Sequence, residues 1–173
     1  MKDLAVAFIS VLIAFATVAL PGDMPCSPCK PDDNLFRVTR NFEGLRLFSY
    51  EDVAGNRTIG FGHLILPGER FNEPLTGPQA EALLEKDEGR AAFFVVDEID
   101  DPITQGQYDA LTDFTFNLGP VSLDKLLDRV YDNPGHEAEQ FMLYDKAHVN
   151  GHLVTLKGLF SRRHAESNLY TGK

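Results

Sequence analysis

The stretch Asn41 to His63, NFEGLRLFSYEDVAGNRTIGFGH, leaves few choices of fold. An acid, Glu43, stands directly before a glycine, as at the end of a helix. Leu45, Leu47, Ser49 and Asp52 follow in alternating character. A turn centred on Gly55 comes next, and a second short alternating run leads to Gly60, Gly62 and His63. The period switches from helical to two, so the segment reads as a helix end delivering Glu43 and then a β-hairpin carrying Asp52 and Thr58. A hairpin folds its arms together, so acids apart in sequence can face one cleft. Glycoside hydrolysis needs such a pair: one carboxyl donates a proton to the leaving oxygen, and the other, ionised, handles water or the cationic sugar.

The residues Glu43, Gly44, Leu45, Arg46, Leu47, Tyr50, Asp52, Gly55, Thr58, Ile59, Gly60, Gly62 and His63 spell E-G-L-R-L…Y-x-D-x-x-G-x-x-T-I-G-x-G-H. This pattern resembles the phage-type lysozymes, the T4-lysozyme-like endolysins. The resemblance implies an α+β fold, with a small β-hairpin lobe, a larger helical lobe, a long helix joining them and a cleft between. It implies hydrolysis of the β-1,4 bond between N-acetylmuramic acid and N-acetylglucosamine in peptidoglycan. Carried over by position, Glu43 is the general acid, and Asp52 and Thr58 serve the water-delivering or cation-stabilising side.

Three parts follow from the order of the chain. Residues 4–20, LAVAFISVLIAFATVAL, carry no charge, and Pro21-Gly22-Asp23 ends the run. Residues 1–21 therefore read as an export or anchor segment. A cleaved signal peptide is one form of it. The other, favoured, resembles the signal-arrest-release segment of some endolysins, in which an uncleaved helix tethers the enzyme to the inner membrane and later slips out. A buried core helix is disfavoured, because a helix apolar on every side at a chain end has few places to hide. Residues 22–33 are Pro-rich and polar, a linker. Residues 34–173 form the catalytic domain.

The linker holds the two cysteines, Cys26 and Cys29, in PCSPCKP. With no second CxxC they lack the four ligands of a structural zinc site, and they read as an exposed pair able to oxidise outside the cytoplasm. Net charge is -10, which argues against nucleic-acid binding. There is no Trp, so Phe and Tyr would have to supply any sugar-stacking face. Gly60-x-Gly62 lacks what a nucleotide loop needs. His148 and His152 have no carboxylate beside them and a turn between, which disfavours a metal site. Neither metal nor organic cofactor is implied. The partners implied are peptidoglycan and, through residues 4–20, the inner membrane, with the protein a monomer.

Asp32, Asp33 or Asn34 is placed to cap a first helix running to about Phe42, and Thr76 to cap the longest helix, in which Ala80, Leu83, Leu84, Ala91, Phe94 and Val95 recur at helical spacing. In the resemblance this is the rod between the lobes, and its Asp87 pairs with His63, a structural pairing. Leu64 falls at the cleft. The stretch QGQYDALTDFTFNL, residues 105–118, is similar to the family's second signature; Tyr108, Leu111 and Phe114 read as core, and Phe116 and Asn117 carry over as cleft residues, with plain core packing the alternative for Phe116. Residues 123–131 and 136–146 read as two short helices around Asn133-Pro134-Gly135. The family often has Trp where Tyr144 lies and Gly-Gly where Ala147 and His148 lie, so this chain departs there. In the last helix, residues 156–170, GLFSRRHAE is similar to the family's closing G-L-x-x-R-R-x-x-E. It places Arg162, rather than Arg163, against Glu43; a surface charge is the alternative for each. An arginine on the acid opposes proton donation, so substrate must part the pair.

Two other functions fit parts of this pattern. A wall-binding protein without turnover would have an eroded acid, and a lytic transglycosylase would need no Asp52 or Thr58. All three residues are present.

Overall fold

The computed structural model describes residue 26 and residues 29–52, 55–149 and 151–173. The apolar run 4–20 and most of the linker lie outside these residues. No helix among the described residues is long and apolar enough to cross a membrane.

Helix α1, Asp33–Glu43, starts where Asp32 accepts hydrogen bonds from the backbone N–H of Asn34 at 2.7 Å and of Leu35 at 3.3 Å. It ends at Gly44, whose φ of 66° is one glycine adopts without strain. Strands β1, Arg46–Glu51, β2, Arg57–Gly60, and β3, His63–Leu64, form an antiparallel sheet in the order β1-β2-β3. Tyr50 pairs with Thr58, and Ile59 with His63. The hairpin expected from alternation is therefore present, with a third short strand directly after it.

Helix α2, Gly77–Glu98, opens on a capping box in which Thr76 and Gln79 satisfy each other's backbone N–H. Its first turns give Ala80 and Leu84 to a core with Ile59, Phe61 and Leu75 under the sheet. Its last turns give Ala92 and Val95 to a second core with Leu111, Phe114, Leu126 and Phe141. One helix thus belongs to both lobes.

The larger lobe adds α3, Gln105–Leu118, and α4, Pro120–Asp132, separated only by Gly119 at φ 79°. Helix α5, Lys157–Thr171, closes the lobe. Gly106 lies where α3 meets α5: a Cβ there would sit 2.3 Å from the backbone oxygen of Leu169. Tyr144 packs edge-on against Phe114, ring centres 4.9 Å apart, and so serves the core at this departure from the family pattern.

Two expectations are corrected, and one element is found that the sequence reading did not foresee. The segment read as a helix over 136–146 is a 3-10 helix, Glu137–Tyr144, with no side-chain cap at His136; short uncapped segments favour this tighter form. The chain after it makes a second hairpin, β4, Lys146–Val149, with β5, His152–Thr155. Asn150-Gly151, which rules out a helix, is also the strongest short hairpin signal, and Val149, Val154 and Thr155 suit strands. Finally, Cys26 and Cys29 form a disulfide that is half-buried rather than exposed. It packs on the helical core, and the Cys26 N–H donates to the Ile103 oxygen at 2.9 Å.

Candidate active site

Glu43 is the last residue of α1, so its side chain leaves the helix where the chain turns into the sheet. It helps line a cavity of about 400 Å³ between the sheet and the helices. Leu64 and Leu66 line it from the sheet side, and Phe94, Phe116 and Asn117 from α2 and α3. Gly62 at φ 82° lets the sheet approach the acid; a Cβ at this position would lie 2.9 Å from Glu43 Oε2.

Arg162, read as either a surface charge or the partner of Glu43, is buried, and its Nη1 donates to Glu43 Oε1. Its Nε and Nη2 each donate to Asp113 at 2.9 Å, a two-pronged grip. The rings of Phe42 and Phe116 lie 5.8 and 5.7 Å from its guanidinium carbon. Phe116 therefore has two surfaces in use, one toward the cavity and one toward this cation. Arg163 is also buried but turns elsewhere, donating to Asn117 Oδ1 at 2.9 Å and to Glu166.

Four carboxylic acids sit on this arginine cluster. The guanidinium of Arg162 outweighs burial and holds Asp113 below its usual range. Burial, aided by Asp113, pushes Glu166 well up. Burial likewise raises Glu88 to about 8. Glu43 is the member that reaches the cavity. Sequence reasoning missed Asp113, Glu88 and Glu166, along with Thr39, which touches two of them. A signal exists: Asp113 stands between the core positions Leu111 and Phe114, where a charge needs a buried partner.

His63 is buried with a carboxylate on each side. Its Nδ1 is 2.7 Å from Asp87 Oδ2 and its Nε2 is 2.9 Å from Glu69 Oε2. Glu69 was not foreseen, because it sits in the loop after β3 with no periodicity to mark it. Its carboxylate is held down to about 2, first by the Leu66 N–H and then by His63.

Asp52 and Thr58 lie apart from the cavity walls just described. Asp52 follows the last residue of β1, and its carboxylate accepts from the Asn56 N–H at 2.8 Å and from Asn56 Nδ2 at 3.2 Å, so it orders the β1–β2 turn. Thr58, in β2, is buried, and its hydroxyl donates to the Asn56 oxygen at 3.3 Å.

The chain has known relatives. It is 38% identical over 137 residues to an endolysin of Acyrthosiphon pisum secondary endosymbiont phage 1, a match spanning 77% of this chain and 92% of that one. It is 32% identical over 127 residues to a SAR-endolysin of Pseudomonas phage phiKMV, covering 72% of this chain and 78% of the relative. Among solved structures, an endolysin from Escherichia coli O157:H7 phage FAHEc1 superposes with a TM-score of 0.73 at 32% identity, over 83% of this chain and 94% of that chain. The phage lysozyme family model matches residues 40–166, which hold Glu43, the sheet, Asp113 and Arg162, and the chain belongs to the phage lysozyme family.

Proposed function

We infer that this protein is an endolysin: a muramidase that hydrolyses the β-1,4 bond between N-acetylmuramic acid and N-acetylglucosamine in bacterial peptidoglycan and so lyses the host cell. One observation carries the reading at the level of residues. Glu43, at a helix end, reaches a cavity while its other oxygen is held by a buried arginine.

In this reading Glu43 donates its proton to the glycosidic oxygen. Substrate parts Glu43 from Arg162 before donation, since an adjoining cation favours the carboxylate. Asp52 acts as the ionised partner that activates water or steadies the oxocarbenium ion, and Thr58 holds the water. Support for Asp52 is its place in the family pattern and its fixed carboxylate at the end of β1. Leu64 and Phe116 offer apolar faces to the sugar rings. Asn117 gives its Oδ1 to Arg163, which leaves its NH2 to meet a sugar oxygen or N-acetyl carbonyl. His63, between Asp87 and Glu69, ties the sheet to α2 and takes no part in the chemistry.

The protein acts outside the cytoplasm, tethered to the inner membrane through residues 4–20 or released from it. Three observations support this: the uncharged run itself, the Cys26–Cys29 disulfide, which fits an oxidising compartment, and the likeness to a SAR-endolysin.

The test is digestion of purified peptidoglycan by wild type and Glu43→Gln, with analysis of the product ends. The reading expects new reducing ends from wild type and none from the variant. Equal clearance by both, or anhydro-sugar ends, overturns it.

A further inference from the structure

The buried end of the acid cluster has more carboxylate oxygens than protons to share. Thr39 Oγ1 lies 2.5 Å from Glu88 Oε1 and 2.8 Å from Asp113 Oδ1. A hydroxyl has one proton to donate, and its lone pairs can only accept. Facing two ionised carboxylates it would satisfy one and leave the other in bare oxygen-to-oxygen contact. One of the two acids must therefore carry a proton and donate it to Thr39.

Asp113 is not that acid. Both its oxygens already accept from Arg162, at 2.9 Å each. Glu88 is fully buried, touches Thr39 through one oxygen, and its Oε2 has no hydrogen-bond partner among the described residues. A lone buried carboxylate would be costly, whereas a neutral acid is tolerated. The hydrogen bonds thus run one way. Glu88 donates to Thr39, Thr39 donates to Asp113, and Asp113 holds Arg162 by two bonds while the third arm of Arg162 reaches Glu43.

We propose that Glu88, as a neutral carboxylic acid, is a positioning residue for Glu43: it fixes Thr39 and Asp113 so that Arg162 stays aimed at the cleft. The proposal rests on the reading of Glu43 as the proton donor. Glu88 sits on α2, is fully buried and is not among the residues that line the cavity. Thr39 and Glu43 come from α1, Asp113 from α3 and Arg162 from α5, so the chain links all four helices around the acid.

The groups that face Glu88 set its behaviour with pH. Burial and the carboxylates of Asp113 and Glu43 favour its neutral form; Arg162, and the hydrogen bond that Thr39 would donate to Glu88 once ionised, oppose them, and the balance lies at about 8. Above that value two anions would compete for one hydroxyl, and the tie from Asp113 through Thr39 to α1 would weaken.

Steady-state kinetics on peptidoglycan, with thermal unfolding of each variant, test this. Glu88→Leu removes the donor, and Thr39→Val removes the relay; each is expected to lower kcat about tenfold to a hundredfold with KM within about twofold. Glu88→Gln, whose amide N–H can donate in the acid's place, and Thr39→Ser are expected to recover most of that loss. Carboxyl carbon NMR is expected to show a Glu88 resonance titrating near pH 8 in wild type and absent from Glu88→Gln. Three results overturn the proposal: wild-type kcat in a folded Glu88→Leu, equal damage from Glu88→Gln and Glu88→Leu, or a Glu88 carbon titrating in the ordinary carboxylate range. If Glu88→Leu does not fold, the Thr39 pair and the wild-type titration still decide. Glu43→Gln in parallel separates the two readings. Activity that survives it overturns the role of Glu43 and with it the purpose of Glu88. Loss of activity there, with Glu88→Leu undiminished, overturns Glu88 alone.

Discussion

Arg162 bonds Glu43 with one nitrogen and Asp113 with the other two, so a cleft acid and a fully buried acid share a single cation. Removing the cation therefore damages two places at once. Arg162→Ala leaves Asp113 as an unpaired charge in the core, and breaking such a pair costs about 3–5 kcal/mol. Urea denaturation is expected to show that loss, and turnover is expected to fall with it. Arg162→Lys, which has a point charge and no fork, is expected to recover only part of either.

Glu69, beside His63, predicts an acid-side instability. Glu69 is held at about 2 in the folded protein, against an ordinary value of 4.5. A lowered folded value means stability that is complete above the unfolded value and lost as pH falls toward the folded one. Melting temperature is expected to drop between about pH 5 and pH 2. Glu69→Gln is expected to melt lower than wild type at neutral pH and to flatten that drop.

Asp109 predicts the opposite slope. Burial first, and then the Asp32 carboxyl that caps α1, raise it from 3.8 to about 8. A folded protein that holds this proton longer than the unfolded chain loses stability as pH climbs from about 4 to about 8. Each such proton contributes a slope of up to about 1.4 kcal/mol per pH unit. Asp109→Asn is expected to remove one proton's share of the slope in denaturation midpoints across this range.

Gly106 predicts a backbone clash rather than a lost contact. With Leu169 oxygen 2.3 Å from where a Cβ would stand, Gly106→Ala must push α5 from α3. Overpacking of this kind costs about 1–3 kcal/mol. Thermal unfolding is expected to show it. Gly119→Ala, where a Cβ meets nothing within 4 Å but φ is 79°, separates the strain of a positive φ from the clash.

Much of this architecture is legible in the sequence because local chemistry and tertiary need agree. Thr76 with Gln79, and Asp32 before Leu35, announce helix starts by the hydrogen bonds they make. The pairing of Glu43 with Arg162 is legible only through the family pattern; nothing in their own spacing, 119 residues apart, would join them. The second hairpin is hidden because Asn-Gly in a sequence signals the end of a helix and the start of a hairpin alike. Its strands are short and largely exposed, so their alternation carries no core signal. Thr39, Glu88 and Asp113 are polar residues at buried helix positions. Sequence periodicity shows only that they break a pattern, whereas their meaning is a set of contacts across three helices.

Asp87 and Glu88 are neighbours at the middle of α2, between the turns that serve one core and those that serve the other. Successive helical residues point about 100° apart, so one meets the sheet through His63 while the next meets Thr39 on α1. The shared helix is thus a keel with both halves of the hull fastened at one frame. A bend or roll there would reach the sheet through His63 and, through Thr39 and Asp113, the arginine that holds Glu43, because two consecutive residues fasten both.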